Sequence, residues 1–140
     1  MVERIFDATN ARVGRLATVV AKAALLGDKI AVVNSEKAVI SGTRERVLAK
    51  ADQRKKRGIP TKGPFISILP DRYLRRIIRG MLPHKQPKGI VAYKNILCYV
   101  GLPEVFKDKK LEKVENADVA ALRGTTYITI QEICNELGGK

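Results

Sequence analysis

The sequence has few of the residues from which catalytic and metal-binding sites are built. Its 140 residues include no tryptophan, one histidine and two cysteines. The histidine, His84, lies in the basic turn 83–85 without a partner residue, and we do not expect it to act as a catalytic base. Cys98 and Cys134 have neither metal-ligand nor redox spacing, and we expect both to be buried free thiols. No serine or cysteine stands in a nucleophile motif, so the sequence predicts no enzyme, metal site or cofactor.

Long apolar runs are also missing. No run approaches the roughly 18 residues that a membrane-spanning helix needs. Charged residues interrupt the first ten positions, and neither a signal peptide nor a lipidation pattern is visible. The turn 9–15 has one glycine, Gly14, instead of the glycine-rich patterns that bind nucleotide phosphates. We therefore expect a cytoplasmic protein with no membrane partner and no small-molecule substrate.

Acidic residues are scarce in the middle third of the chain. The whole chain has 27 basic and 14 acidic residues and a net charge of +13. Residues 44–94 contain fifteen of the basic residues and only three of the acidic ones, so this segment alone carries +12. Because the excess charge is concentrated in one segment, it indicates a binding surface for a polyanion and not a general aid to solubility.

Hydrophobic residues make up 45% of the chain, enough to fill the core of one domain covering residues 1–140. A strand at 2–8, a helix at 13–26 and an apolar strand at 30–33 form a βαβ unit, which predicts a parallel sheet. Thr129 and Glu132 form a capping box that begins a C-terminal helix near 129–137. Between these ends the patterns predict a strand at 38–40, a helix from the start signal at 41–43 to about 57, a loop at 58–70, a helix at 71–82, a helical turn at 90–94, a strand at 96–100 and an irregular segment at 104–124.

The predicted helix 71–82 has the most informative local pattern. Its four arginines repeat at i, i+3, i+4 and i+7 and therefore share one face, at positions Arg72, Arg75, Arg76 and Arg79. The apolar residues Leu74, Ile77, Ile78 and Met81 fall on the opposite face. We expect that face to dock on the sheet while the four guanidinium groups point outward, where each can donate paired hydrogen bonds to phosphate.

The run from Arg54 to Arg57, followed by Lys62, forms a second basic element at the end of the preceding helix. A solvated surface run would be an adequate explanation for it alone, but beside the arginine helix it indicates a second part of one surface. Charge placement makes candidate contacts of Arg44, Arg54, Lys55, Lys56, Arg57, Lys62, Arg72 and Lys94.

Aromatic residues are few in the basic segment, where only Phe65, Tyr73 and Tyr93 occur. A stacking platform for single strands needs more exposed rings, so we expect recognition of backbone charge and shape, as in folded RNA. Charge alone does not separate RNA from DNA, and a sequence-tolerant DNA-binding module stays open as the alternative. No helix-turn-helix, zinc-finger or basic-zipper pattern is present.

Three stretches resemble the archaeal and eukaryotic form of the thirteenth large-subunit ribosomal protein family. They are Val13-Gly-Arg-Leu-Ala17, the segment 32–42, and the segment from Gly63 to Glu104. Within the last, Ile78-Arg-Gly-Met-Leu-Pro83 followed by Lys85, Lys88 and Gly89 is similar to the family signature. The likeness covers roughly residues 3–106.

This resemblance implies a three-layer α/β/α fold with a four-stranded, mainly parallel sheet. It implies a structural role in the large ribosomal subunit, with binding to large-subunit ribosomal RNA, support of subunit assembly, and neighbouring ribosomal proteins as partners. It implies neither catalysis nor a cofactor. Around the signature, it implies RNA contacts at Arg75, Arg76, Arg79, Lys85 and Lys88.

Overall fold

The computed structural model describes residues 3–121 and 126–138. Val2, the first residue of the strand predicted at 2–8, therefore lies outside the described residues. In chain order the strands and helices are β1 (Glu3–Asp7), α1 (Val13–Leu25), β2 (Lys29–Val33), β3 (Val39–Ser41), α2 (Arg44–Lys55), α3 (Pro70–Arg79), α4 (Pro87–Lys94), β4 (Ile96–Cys98), β5 (Tyr127–Thr129) and α5 (Ile130–Glu136). The mixed α/β class predicted from the sequence is confirmed.

The predicted βαβ unit forms the centre of the molecule. β2 lies between β1 and β4 in a parallel sheet, with Ala31 opposite Ile5 on one side and Leu97 on the other. Positions 30–33 of β2 are at most 5% exposed, as expected of an apolar strand covered on both faces. Helix α1 ends at Leu25, within one residue of the predicted end. Just beyond it, Gly27 adopts a positive φ of +102°, a conformation that favours glycine and ends a helix.

The two faces of this sheet are covered differently. Alternate residues of the strands, including Phe6, Val32 and Ile96, pack with buried side chains of α1, α3 and α4 in the largest core cluster. The other face, with Ile5 and Val33, is covered by Phe106 on a short 3-10 turn, together with Tyr99 and Leu111. The sheet thus has helices on one face and an irregular segment with a short 3-10 turn on the other, so the expected α/β/α layering is confirmed only in part.

The expected count of four strands in this sheet is wrong, because the sheet has three within residues 3–121 and 126–138. On the free edge of β1, Glu112 adds a single parallel bridge, in which its amide donates to the Ile5 carbonyl (2.8 Å). The remaining strands, β3 and β5, form a separate antiparallel ribbon that the sequence did not predict as a pair. Ala51 of α2 and Ile133 of α5 pack in a second core cluster around this ribbon.

Both helix start signals are confirmed by side-chain capping. The Thr43 hydroxyl accepts from the Arg46 amide (3.4 Å), and the Thr129 hydroxyl accepts from the Glu132 amide (3.2 Å). The predicted helix 71–82 is shorter than expected and ends at Arg79. Met81 therefore lies beyond the helix and is 43% exposed, so the expectation that it docks with the apolar face is wrong.

Candidate nucleic-acid interface

Helix α2 presents most of its basic side chains to solvent. Ala51 is its only fully buried residue, while Val47 and Leu48 are half-buried against the β3–β5 ribbon. Arg46, Lys50 and Arg54 are all exposed and are four residues apart, so they share one helix face. The helix is therefore attached to the core by a narrow apolar strip, and a cationic face remains free.

Helix α3 is anchored much more deeply. Leu74 and Ile78 are 0% exposed and belong to the main core cluster. Of the arginines on this helix, Arg72 is exposed, whereas Arg76 and Arg79 are half-buried. The predicted apolar face is thus confirmed at Leu74 and Ile78 and the predicted outer face at Arg72, while an outward orientation of Arg76 and Arg79 stays a prediction.

Two grooves join the basic faces of α2 and α3. The first, of about 320 Å³, is lined by Arg46, Lys50, Arg54 and Tyr73. The second, of about 350 Å³, is lined by Arg54, Tyr73 and Arg76. Because Arg54 and Tyr73 line both, the cations of the two helices form one continuous surface, which we call the α2–α3 groove.

The aromatic residue of the α2–α3 groove adds no negative charge to it. Burial raises the pKa of the Tyr73 hydroxyl above its usual value, and the nearby positive charge of Arg54 lowers it by less. The phenol is therefore neutral at physiological pH and can donate a hydrogen bond. The groove therefore presents four cationic side chains and one neutral hydroxyl beside apolar side chains that include Val47, Ile66 and Ile77. The cations suit it to an anionic backbone.

Arg75 has a role that the helical spacing did not predict. Its guanidinium Nε donates to the Ile96 carbonyl (2.9 Å), and its terminal nitrogen donates to the Tyr93 carbonyl (3.1 Å). The guanidinium carbon also lies 4.0 Å from the centre of the Tyr93 ring. Arg75 thus faces inward and fastens α3 to the end of α4 and to β4, so the expectation of four outward guanidinium groups is wrong at this position.

Three other candidate cations also have partners within the protein. Arg44 pairs with Glu136 (3.0 Å) and Glu132 (3.5 Å) of α5. Lys55 donates to the Leu137 carbonyl, and Lys56 pairs with Asp52 one turn away (2.8 Å). All three residues are exposed, and their contact with RNA stays a prediction.

The tight turn between α3 and α4 holds Lys85 and Lys88 in exposed positions. The Gln86 amide donates to the Pro83 carbonyl (2.9 Å), which closes the turn. Gly89, in the first turn of α4, lies so close that a methyl group there would overlap the Pro83 carbonyl. The spacing from Pro83 to Gly89 is therefore a packing requirement that fixes where these two lysines stand.

Three further candidates do not line the α2–α3 groove. Arg57 and Lys62 are exposed in the loop between α2 and α3. Lys94 lines a different groove, with Lys29 and Leu97, beside the sheet. The structure thus does not bring Lys94 together with the α2–α3 groove.

Sequence reasoning omitted two residues of the α2–α3 groove, Arg46 and Lys50. Their signal is present in the sequence, because Arg46, Lys50 and Arg54 repeat every four residues, as one face of a helix does. The repeat is less visible than the Arg54–Arg57 run, whose charges are consecutive but point in different directions.

Other kinds of site have little support in the described part of the chain. There, no group of three or more histidine, cysteine, aspartate or glutamate side chains is arranged to hold a metal ion. No helix of the described residues has the length and apolarity to cross a membrane. Both cysteines are free thiols as expected, but only Cys134 is fully buried, and Cys98 is half-buried. Burial raises the pKa of Cys98 to about 12 and that of Cys134 to about 11, so both thiols are protonated at neutral pH.

Comparison with known proteins agrees with the sequence resemblance. Residues 2–105 match the model of the family described as Ribosomal protein L13. Three archaeal proteins, each named large ribosomal subunit protein uL13, match almost the full chain. The protein of Methanopyrus kandleri is 43% identical over 136 residues, covering 96% of this chain and 86% of its own. That of Methanosarcina barkeri is 41% identical over 137 residues, covering 97% and 98%. That of Methanococcus maripaludis is 43% identical over 141 residues, covering 97% and 98%. With a family match over more than half of its length and relatives of this identity, the chain belongs to the ribosomal protein L13 family.

Proposed function

We propose that this protein is a structural constituent of the large ribosomal subunit that binds large-subunit ribosomal RNA and supports subunit assembly. Membership in a ribosomal protein family agrees with the prediction that the chain is not an enzyme and works in the cytoplasmic ribosome. In this proposal residues 1–140 act as one domain, and neighbouring large-subunit proteins complete its surroundings. The observation that carries the RNA-binding part is the α2–α3 groove.

The α2–α3 groove fits a phosphate backbone better than a single small ligand. Its cations come from two helices, and the segment of the chain from α3 to the start of α4 adds the exposed Arg72, Lys85 and Lys88 and the half-buried Arg79. Arginine is the commoner cation of the groove, and its planar fork binds phosphate oxygens in pairs. A spread of cations over a surface of this kind favours contact with several successive phosphates.

The proposed contacts differ in their support. Arg46, Lys50, Arg54 and Arg76 line the groove, and they are the contacts we propose first. Arg57, Lys62, Arg72, Arg79, Lys85 and Lys88 extend it. Arg44, Lys55, Lys56 and Lys94 are proposed only as peripheral contacts, and Arg75 is proposed to act by holding α3 in place.

A salt titration with matched variants tests the proposal. Affinity for a large-subunit ribosomal RNA fragment should fall roughly 10³- to 10⁵-fold between 50 and 200 mM salt if about six to ten phosphates are contacted. The double variant Arg54→Gln/Arg76→Gln should lower the slope of log affinity against log salt by about one for each phosphate that is no longer bound.

The matched control is Lys107→Gln/Lys110→Gln, which removes two exposed cations from the C-terminal third. It should leave the salt slope unchanged. An equal effect of both double variants would show that only net charge matters, and the α2–α3 groove would then be excluded. Co-sedimentation with the large subunit tests the ribosomal role, and competition with duplex DNA tests the DNA-binding alternative.

A further inference from the structure

An exposed aromatic residue stands next in the chain to a residue that lines the α2–α3 groove. Phe65, in the loop between α2 and α3, is 70% exposed, which is unusual for so large an apolar side chain. Its chain neighbour Ile66 lines the α2–α3 groove together with Arg54 and Arg76. Phe65 is therefore adjacent in the chain to a residue of the surface that is proposed to hold the RNA backbone.

The loop that carries this ring is closed by its own hydrogen bonds. The Gly63 amide donates to the Ile59 carbonyl (2.8 Å), and the Ile59 amide donates back to the Gly63 carbonyl (3.3 Å). A methyl group on Gly58 would overlap the Gly63 carbonyl, so the two arms of the turn cross closely. These contacts fix the position from which Phe65 projects.

Gly63 also determines where the ring lies. A Cβ atom at Gly63 would be 2.9 Å from Cδ2 of Phe65, so the ring packs over the bare glycine backbone. One part of the ring is thereby supported by the turn, while most of its surface stays open to solvent. A supported ring with free surface can stack on a planar ligand at little cost in side-chain entropy.

The charge around Phe65 indicates the kind of ligand. No acidic residue occurs between Asp52 and Asp71, while Arg57 and Lys62 stand in the same loop as the ring. An apolar protein partner would gain nothing from these cations, whereas a nucleotide offers both a base to stack and a phosphate to pair. The surroundings therefore favour RNA as the occupant.

We propose that Phe65 stacks on an unpaired base of the bound RNA, while Arg57 and Lys62 hold the adjoining phosphates. This inference rests on the proposed function and extends it, because it assigns one contact to a base in addition to the contacts with the backbone. It requires a single-stranded or bulged nucleotide at this point, since bases within a duplex are already stacked.

The absence of tryptophan from the chain allows a direct test. Phe65→Trp introduces a single fluorophore at the proposed stacking position, and its emission should be quenched on addition of a single-stranded oligouridylate. A blunt RNA duplex of equal length should bind through the cations and quench much less. The matched control is Val105→Trp, an equally exposed position (71%) in the C-terminal third, whose emission should not change.

A second variant measures what the ring contributes. Phe65→Leu keeps an apolar side chain but removes the aromatic face. It should weaken binding to the oligouridylate by roughly 5- to 150-fold, the range expected when one base is no longer stacked. Its salt slope should equal that of the unsubstituted protein, because every cation that binds a phosphate is still present.

The outcomes separate this inference from the proposed function. An unquenched Phe65→Trp at saturating oligouridylate, or unchanged affinity of Phe65→Leu, would overturn base stacking. If the Arg54→Gln/Arg76→Gln variant still lowered the salt slope in that case, the RNA-binding function would stand. If the unsubstituted protein bound neither these two RNAs nor the large-subunit ribosomal RNA fragment, both proposals would fail.

Discussion

Helices α2 and α3 have similar basic sequences, but they are attached to the molecule in different ways. α2 has one fully buried residue, Ala51, and it rests on the β3–β5 ribbon. α3 has two side chains, Leu74 and Ile78, that are completely buried in the main core. A run of arginines and lysines therefore does not reveal how many side chains of its helix are buried in the core.

This difference affects how binding experiments on the two helices are interpreted. Cations on α2 can be replaced with little effect on the core, because few contacts of α2 reach it. Substitutions in α3 affect stability wherever they touch the side that faces α4 and β4. Weaker RNA binding by an α3 variant therefore needs a stability measurement before it is attributed to a missing phosphate contact.

The largest expected effect comes from truncating a matched leucine in each helix. Leu74→Ala should lower the free energy of unfolding by about 2–5 kcal/mol, because it leaves a cavity in a fully buried site. Leu48→Ala in α2 should cost about 1 kcal/mol, since that side chain is half-buried. Urea denaturation of both variants gives the two values. Equal losses would mean that α2 is as much a part of the core as α3.

The next effect distinguishes two arginines of the same helix. Arg75→Ala should lower the free energy of unfolding by about 1–3 kcal/mol, because it removes two hydrogen bonds and the contact with Tyr93. Arg72→Ala, at an exposed position, should change it by less than about 0.5 kcal/mol. Thermal unfolding measures both.

Arg75→Lys provides the conservative control for this pair. A lysine ammonium cannot reach both carbonyls while stacking on the ring, so less than half of the missing stability should return. Full recovery would show that charge alone matters at this position. Arg72→Ala should lower the salt slope of RNA binding, whereas Arg75→Ala should not.

Arg75 also shows where inference from the sequence stops. Spacing along a helix places Arg72, Arg75, Arg76 and Arg79 on one stripe and predicts Leu74 and Ile78 as its buried side, which is confirmed. The four arginines cover a broad sector of the helix surface, and their spacing does not tell which of them contacts another helix or strand. That information lies in the packing of α4 and β4 against α3, residues that are distant along the chain.

The elements that the sequence does not predict are short or depend on distant partners. β5 has three residues, and its pairing with β3 joins segments almost ninety positions apart, so local pattern gives it little signal. By contrast, the sequence predicts α1 and β2 within a residue or two, because their apolar residues repeat over longer runs. In the α2–α3 groove, the periodicity of Arg46, Lys50 and Arg54 is sufficient to predict the basic face of α2.

Acid should lower the free energy of unfolding through carboxylates beside the parallel sheet, and not through those of α2. The Asp7 carboxylate accepts hydrogen bonds from the Thr9 amide (3.0 Å), the Thr9 hydroxyl (2.7 Å) and the Asn34 side chain (3.0 Å). Burial raises the pKa of Asp7, but these hydrogen bonds and the positive charge of Lys113 together lower it by more, so it lies below its ordinary value of 3.8. The hydrogen bond from Arg4 lowers the pKa of Glu112 in the same way.

A lowered pKa in the folded state means that the unfolded chain binds the proton more readily. The stability contribution of Asp7 is therefore complete above its ordinary pKa and is lost as pH falls through the lowered one. Denaturation at a series of pH values from about 5 to about 2 should show the loss, on the order of 1 kcal/mol for Asp7. Asp7→Asn should flatten this dependence, whereas Asp52→Asn, at a side chain of α2 that is 50% exposed, should leave it unchanged.

The smallest effect concerns Arg44, the first residue of α2. It pairs with glutamates of α5 and is also a candidate RNA contact. Its pairs with Glu132 and Glu136 are about half-exposed, so Arg44→Ala should cost less than about 1 kcal/mol, and less still at high salt. If Arg44 keeps these partners when RNA binds, Arg44→Ala leaves the salt slope unchanged. If it exchanges them for a phosphate, the slope falls by about one, and Glu136→Gln strengthens binding because Arg44 no longer has to leave a carboxylate. The salt slope of Arg44→Ala therefore decides whether the basic surface of α2 extends to its first residue.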